Sequence, residues 1–172
     1  EGILFTTYAT LRTDDKGERV SRVKQIVEWL GPDFAGVIIF DESHAMQNAG
    51  GGSGERGDVA PSQQGRAGLR LQHALPEARI VYVSATGATS VHNLAYAQRL
   101  GLWGGSGPCA CAPGVPPSDR VTGTIRADTA TFVTPFLTRA EFVEAIEDGG
   151  VAAMEVLARD LRVLGLYTSR SL

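Results

Sequence analysis

Val37-Ile38-Ile39-Phe40 is a continuous apolar run, and it leads directly into Asp41-Glu42-Ser43-His44. That junction restricts the possible folds more than any other stretch of the chain. A β-branched run of this kind reads as a strand buried on both faces, as in a parallel sheet, and such a strand presents the next few residues at its carboxyl end. Two adjacent carboxylates and a histidine are costly beside an apolar strand unless they hold a cation or carry chemistry. The alternative is an acidic surface turn.

The flanking sequence supplies the partners that such a strand needs. Ile3 to Tyr8 is a short β-rich run that begins almost at the first residue, as if the chain starts inside a fold. Val20, Val23, Ile26, Val27 and Leu30 recur at spacings of three and four, one face of a helix ended by Gly31-Pro32. Strand, helix and strand then make a βαβ unit, with parallel strands and a right-handed crossover. Residues 48–57 are glycine-rich. Gly52 to Gly57 matches G-x-G-x-x-G in form, but it neither follows a strand directly nor opens a helix, so it reads as a mobile loop. Pro61 to Leu75 reads as a helix anchored by Leu69, Leu71 and Leu75 and ended by Pro76. A second buried strand runs from Arg79 and ends in Ser84-Ala85-Thr86, so polar groups again wait at a strand end.

Beyond this point Val91 to Leu102 reads as a helix, and Gly, Pro, Ser and Thr dominate from Gly104 to Val133, an exposed excursion. Thr138-Arg139-Ala140-Glu141 is a capping-box pattern that opens a helix through Ile146, stopped by Gly149-Gly150. A last helix carries Val151, Met154, Leu157, Ala158, Leu161 and Leu164 on one stripe, and Leu166 to Thr168 reads as the start of a strand. The organisation expected is a core over residues 1–103, an insertion over 104–133 and a helical extension of the same domain over 134–172.

Several function classes can be set aside on composition. At 172 residues, 43% hydrophobic and 20% charged, the chain can bury one ordinary core. No apolar run approaches the about 18 residues of a membrane span, and the first residues lack a basic-then-apolar signal, so the expectation is a cytoplasmic protein without a membrane partner. The net charge of -3 provides no overall basic footprint for nucleic acid, though a local binding face is compatible with it. Cys109 and Cys111 stand far from His44, His73 and His92 in sequence, with no zinc-finger spacing, and read as reduced loop thiols.

A phosphoryl-transfer site of the P-loop kind needs an acid that holds Mg²⁺ at a strand end, a group that orients the attacking water, and a lysine-bearing loop around the phosphates. Asp41 and Glu42 supply the first two. The third is G-x-x-x-x-G-K-[ST], yet the only lysines are Lys16, followed by Gly17, and Lys24, followed by Gln25. The nucleotide site is therefore at best half present.

Asp41-Glu42-Ser43-His44 resembles motif II, the DExH box, of superfamily 2 helicases and translocases, and Ser84-Ala85-Thr86 resembles their motif III, SAT. Thr6-Thr7-Tyr8 followed by Leu11 is similar to the TTY segment that touches the nucleic-acid backbone in remodeller-like members. The runs Pro61–Thr89, Asn93–Gly104, Gly149–Leu161 and Leu164–Leu172 resemble the strawberry notch family of DExH proteins, including bacterial, plasmid and phage members. The likeness covers most of the chain outside about residues 105–132.

The resemblance implies an incomplete three-layer α/β RecA-like P-loop NTPase sheet, mostly parallel, with a helical C-terminal extension. It implies ATP and Mg²⁺ as cofactors, with Asp41 coordinating the metal through water and Glu42 acting as the base toward the hydrolytic water. His44 and the coupling motif Ser84, Ala85 and Thr86 would link that site to nucleic acid and to a second RecA-like lobe, while Thr6, Thr7 and Tyr8 would bind nucleic acid, DNA or RNA. Plainer roles stand beside these: a structural histidine, hydroxyls that cap the next helix, and ordinary strand threonines. The N-terminal motifs and the second lobe with its arginine finger are not in this sequence, so the expected object is a piece of a larger enzyme, inactive alone and of bacterial, plasmid or phage origin. Two other functions fit the residues: an interaction module for nucleic acid or protein that has lost hydrolysis, and a metal-dependent phosphoesterase using Asp41, Glu42 and His44.

Overall fold

The computed structural model describes residues 2–15, 20–54, 57–85, 91–94, 96–103, 126–127, 130–131 and 136–169. Two compact units divide the chain, Glu1–Tyr96 and Ala97–Leu172.

In the first unit, α1 (Tyr8–Leu11) and α2 (Arg22–Leu30) precede β1 (Val37–Phe40), a 3₁₀ turn (Ser43–Met46), a hairpin of β2 (Gly52–Gly54) and β3 (Gly57–Val59), α3 (Gln63–Ala74) and β4 (Arg79–Tyr82). Serine starts both longer helices: Ser21 Oγ accepts from Lys24 N and Ser62 Oγ from Gly65 N, each satisfying a backbone donor that the first turn leaves open. Gly31, at φ 85°, closes α2 in a conformation that side-chain-bearing residues avoid. Val23 and Ile26 of α2, and Leu71 of α3 with Leu75 just beyond it, are buried as their spacing predicts, whereas Leu69 is only half-buried.

β1 and β4 pair in parallel, with Val37 opposite Arg79 and Phe40 opposite Tyr82, and α3 forms the crossover between them. This is the unit's βαβ motif. Residues 2–7 form no strand; the chain there is extended and then turns into α1, with Ile3 and Phe5 exposed. A strand exists only where a neighbour accepts its ladder hydrogen bonds, and none lies beside this segment among the described residues.

The strands also differ from the expectation of burial on both faces. Phe40 and Tyr82 stack at 5.9 Å on the α3 side, but Val37 and Ile39 are 53% and 64% exposed, and Val81 and Val83 are 43% and 45% exposed. Helices of this unit cover one face, so the alternate residues of each strand meet solvent. The glycine-rich loop is likewise an antiparallel hairpin, Gly52 opposite Val59, because two short segments joined by two residues satisfy their backbone groups locally.

Val91 to Leu102 is not one helix. It forms two 3₁₀ turns, Val91–Leu94 and Gln98–Leu100, and Gly101 at φ 67° ends the second. Of the excursion over 104–133, only the small antiparallel pair β5 (Arg126–Ala127) and β6 (Ala130–Thr131) is described; Cys109 and Cys111 lie outside the described residues. α4 (Arg139–Val163) carries the expected capping box, Thr138 Oγ1 accepting from Glu141 N while the Glu141 carboxylate accepts from Thr138 N. Gly150, at φ 57° and ψ -143°, breaks the helix where Gly149-Gly150 predicts a stop. Phe142 is buried against Trp103 and Phe136 with ring centroids 5.5 Å apart in each case. Met154, Leu157 and Leu161 keep the sheltered stripe, but Val151 is exposed. No strand follows among the described residues: Gly165 and Leu166 donate back to Arg162 and Leu161 carbonyls and close α4 in a Schellman motif. No helix among the described residues is long and apolar enough to cross a membrane.

Candidate functional site

The ladder between β1 and β4 continues past both strand ends. Val83 N donates to Phe40 O at 2.9 Å and Ser43 N to Val83 O at 2.8 Å, so the turn after β1 is clamped to the end of β4. Between those bonds, Glu42 adopts left-handed backbone geometry, φ 48° and ψ 47°. That region costs a non-glycine residue about 1–2 kcal/mol and persists only where the surroundings impose it. Its effect here is to leave Asp41 and Glu42 exposed at the strand end while Ser43 turns inward and is 1% exposed.

Asp41 Oδ1 accepts the Glu42 N–H at 3.0 Å, which orients the carboxylate on its own turn. His44 Nδ1 lies 3.2 Å from Glu42 Oε2 and 3.1 Å from Ser84 Oγ. The structure thus joins Asp41, Glu42 and His44 on one turn and brings Ser84 to it from the neighbouring strand end. Ala85 follows Ser84 and is exposed, and Thr86 lies outside the described residues. The ring nitrogen that shares a hydrogen bond with Ser84 Oγ is thus the same one that lies nearest the Glu42 carboxylate. A serine nucleophile needs the opposite arrangement, with serine on Nε2 and acid on Nδ1. Ser84 and His44 are therefore arranged as a link between two strand ends, not as nucleophile and base.

Thr7 caps α1, its Oγ1 accepting from Thr10 N at 3.2 Å, while Thr6 stands exposed one residue before the cap. Tyr8 turns inward: its hydroxyl donates to the main-chain oxygen of Asp41 at 2.7 Å. Burial first, then the neighbouring Tyr96 hydroxyl and the Asp41 and Glu42 carboxylates, push its phenol up to about 12.

Beneath the turn lies a polar scaffold that the motifs do not announce. Ser43 Oγ meets Tyr96 Oη at 3.2 Å, and Gln72, 1% exposed on α3, accepts from Tyr82 Oη at 2.5 Å and donates to Tyr96 O at 3.3 Å. Met46, fully buried, sits where α3 has Gly65 and Gly68: a Cβ at Gly65 would lie 2.7 Å from Met46 O, and one at Gly68 2.3 Å from Met46 Sδ. The one legible signal for this contact is Gly65 and Gly68 three apart inside a helix. Nothing in the spacing marks Ser43, Gln72 or Tyr96.

The donor set suits a hard divalent cation that borrows most of its ligands. Two exposed carboxylates stand together, and no group of three or more His, Cys, Asp or Glu able to hold a metal occurs among the described residues. Mg²⁺ is commonly held by one or two carboxylates with waters and substrate phosphates completing the shell, and Asp41 fits that role.

A profile of the family described as P-loop containing NTP hydrolase pore-1 matches residues 1–112 and 124–172, so the gap falls inside the excursion. Along its whole length the chain is 38% identical to protein strawberry notch homolog 2 of Mus musculus and 37% identical to protein strawberry notch homolog 1 of Homo sapiens, covering 10% of each. It is 34% identical to protein FORGETTER 1 of Arabidopsis thaliana, covering 11% of that protein. The chain thus spans about a tenth of the length of these relatives. No solved structure matches. These relatives come from animals and a plant, as do those from fly and worm, which overturns the expectation of a cytoplasmic protein of bacterial, plasmid or phage origin. Short strand-end motifs of this kind do not distinguish those sources. On the family match and the likeness over its full length, the chain belongs to the P-loop containing NTP hydrolases of the pore-1 family and is a strawberry notch-like, helicase-like segment.

Proposed function

We propose that this chain is part of an ATP-dependent helicase or translocase acting on DNA or RNA, in which it supplies the metal-facing acid, the water-activating base and the coupling motif. The observation that carries this reading is the meeting of two parallel strand ends: Asp41 and Glu42 leave β1 on the turn whose His44 lies 3.1 Å from Ser84 at the end of β4, within a P-loop NTP hydrolase family. β1 and β4 are then neighbouring strands of a three-layer RecA-like sheet, and their open apolar face receives its second layer of helices from elsewhere in the protein. The lysine loop, the N-terminal motifs and the second lobe also come from outside these 172 residues.

Bound ATP with Mg²⁺ supplies the phosphoanhydride to be cleaved. Asp41 would hold the cation, and the hydrogen bond from Glu42 N orients its carboxylate on the turn beforehand. Glu42 orients the attacking water and takes its proton. His44 Nδ1 lies between Glu42 and Ser84, so a shift of the β4 end moves the imidazole that stands beside the base. Thr6 and Thr7 meet the nucleic-acid backbone on the exposed segment before α1. Among the described residues Asp41 and Glu42 stand without a group of three or more metal ligands, which favours this reading over a phosphoesterase with a metal site built from the protein's own ligands.

The test is Glu42→Gln in the full-length protein. Removing a positioned general base lowers turnover by about 10²- to 10⁴-fold while the isosteric amide leaves ATP binding in place. ATPase activity equal to that of the unaltered protein would sink the assignment.

A further inference from the structure

One peptide unit joins the two acids, and it is held at both ends. Its N–H, that of Glu42, donates to Asp41 Oδ1 at 3.0 Å, and its carbonyl oxygen, that of Asp41, accepts from Tyr8 Oη at 2.7 Å. Tyr8 lies 33 residues away on α1. We infer that Tyr8 is a positioning residue: its phenol O–H fixes the Asp41–Glu42 peptide plane, and through it the Asp41 carboxylate, to the segment that begins at Thr6 and Thr7.

The link is stiff at both ends. α1 has a single turn, but Thr7 caps it, Leu11 N and Arg12 N donate to Thr7 O and Tyr8 O at 2.8 and 3.0 Å, and Leu11 is 3% exposed. On the other side the Asp41–Glu42 turn is clamped by the Ser43-to-Val83 bond. A displacement of α1 must either break the 2.7 Å hydrogen bond or rotate the peptide. Rotation carries the Glu42 N–H, and the carboxylate it holds, with it. The left-handed geometry of Glu42 makes this plane a costly one to reorient freely, so its orientation depends on such contacts. Tyr8 therefore faces the acid pair, and the threonines before it remain as the exposed contact. This inference rests on the proposed function.

The test uses Tyr8→Phe in the full-length protein, which removes one oxygen and keeps the ring. Loss of one positioned hydrogen bond predicts an about tenfold lower nucleic-acid-stimulated kcat and a raised Mg²⁺ concentration for half-maximal turnover. ATP affinity and nucleic-acid affinity by fluorescence anisotropy stay within about twofold. Wild-type kcat and Mg²⁺ dependence in Tyr8→Phe, alongside an inactive Glu42→Gln, overturn the inference and leave the ATPase reading intact. Weakened nucleic-acid affinity with full kcat at saturation also overturns it and makes Tyr8 a nucleic-acid ligand. Full activity in Glu42→Gln overturns the ATPase reading, and this inference with it.

Discussion

Gly65→Ala and Gly68→Ala form a pair whose outcomes should differ for a reason visible in the packing. A methyl at Gly65 meets Ala49 Cα and Cβ at 2.6 Å and Met46 O at 2.7 Å. Ordinary contacts of this kind start near 3.5 Å, so the overlap is about 0.8 Å and falls largely on backbone atoms. Either α3 retreats from the turn that carries the acids, or that turn moves. Overpacking of this kind typically costs about 1–3 kcal/mol, and the rigid backbone partner places Gly65→Ala toward the upper end. Alanine's better helix propensity returns about 1 kcal/mol, leaving a net destabilisation of about 1–2 kcal/mol. At Gly68 the nearest atom is Met46 Sδ at 2.3 Å, with nothing else closer than 3.5 Å. A methionine side chain can adopt another rotamer, so the helix gain nearly offsets the clash and the net change is about zero. Urea unfolding followed by the fluorescence of Trp29 and Trp103 measures both. A Gly65→Ala protein as stable as wild type, or a Gly68→Ala protein less stable than Gly65→Ala, refutes the close seating of the acidic turn on α3.

Tyr82→Phe leaves the Oε1 of buried Gln72 without its donor and should cost about 1–2 kcal/mol in the same assay; an unchanged midpoint would show that the scaffold under the turn does not contribute to stability. Ser84→Ala combined with Thr86→Ala in the full-length protein should keep ATPase activity while uncoupling it from strand movement, and equal loss of both activities would favour a structural role for that motif. The Asp15 carboxyl is held below its ordinary 3.8 by the Lys24 ammonium that bonds it and by the Ser21 N–H. A depressed folded value means that this contact stabilises above pH about 3.8 and fades as pH falls through the lower folded value. Lys24→Met should therefore raise the Asp15 titration followed by carboxyl-carbon NMR, and an unmoved titration contradicts the pairing. For Tyr8 the sign is opposite: its contribution is present below pH about 10 and is lost as pH rises toward about 12, a loss that Tyr8→Phe should lack.

The parts of this protein that can be read from its sequence are those set by neighbours along the chain. The capping box at Thr138 opens α4 where its pattern predicts, and the caps at Ser21 and Ser62 are likewise local hydrogen bonds. Gly150 breaks α4 because its own backbone permits φ 57°. The apolar run before Asp41 and the run from Arg79 both become strands where expected, and the structure pairs them in parallel. Where a partner distant in sequence decides, the expectations fail. Ile3 to Phe5 has strand composition but no ladder beside it, and the alternate faces of β1 and β4 are exposed because helices of this unit cover only one side.

The proposed role of the acidic turn comes from the order of residues in it, an apolar strand that leads directly into two carboxylates and a histidine. The contacts on which that turn rests were decided by tertiary structure alone. Tyr8, Ser43, Gln72 and Tyr96 carry no periodicity and no motif spacing for these contacts, yet their hydroxyls, amide and carbonyl meet under and beside Asp41 and Glu42 once the strands pair. Hydrogen bonds between residues 10 to 53 positions apart leave no local pattern, because the chain between them satisfies its own backbone independently of where its ends meet.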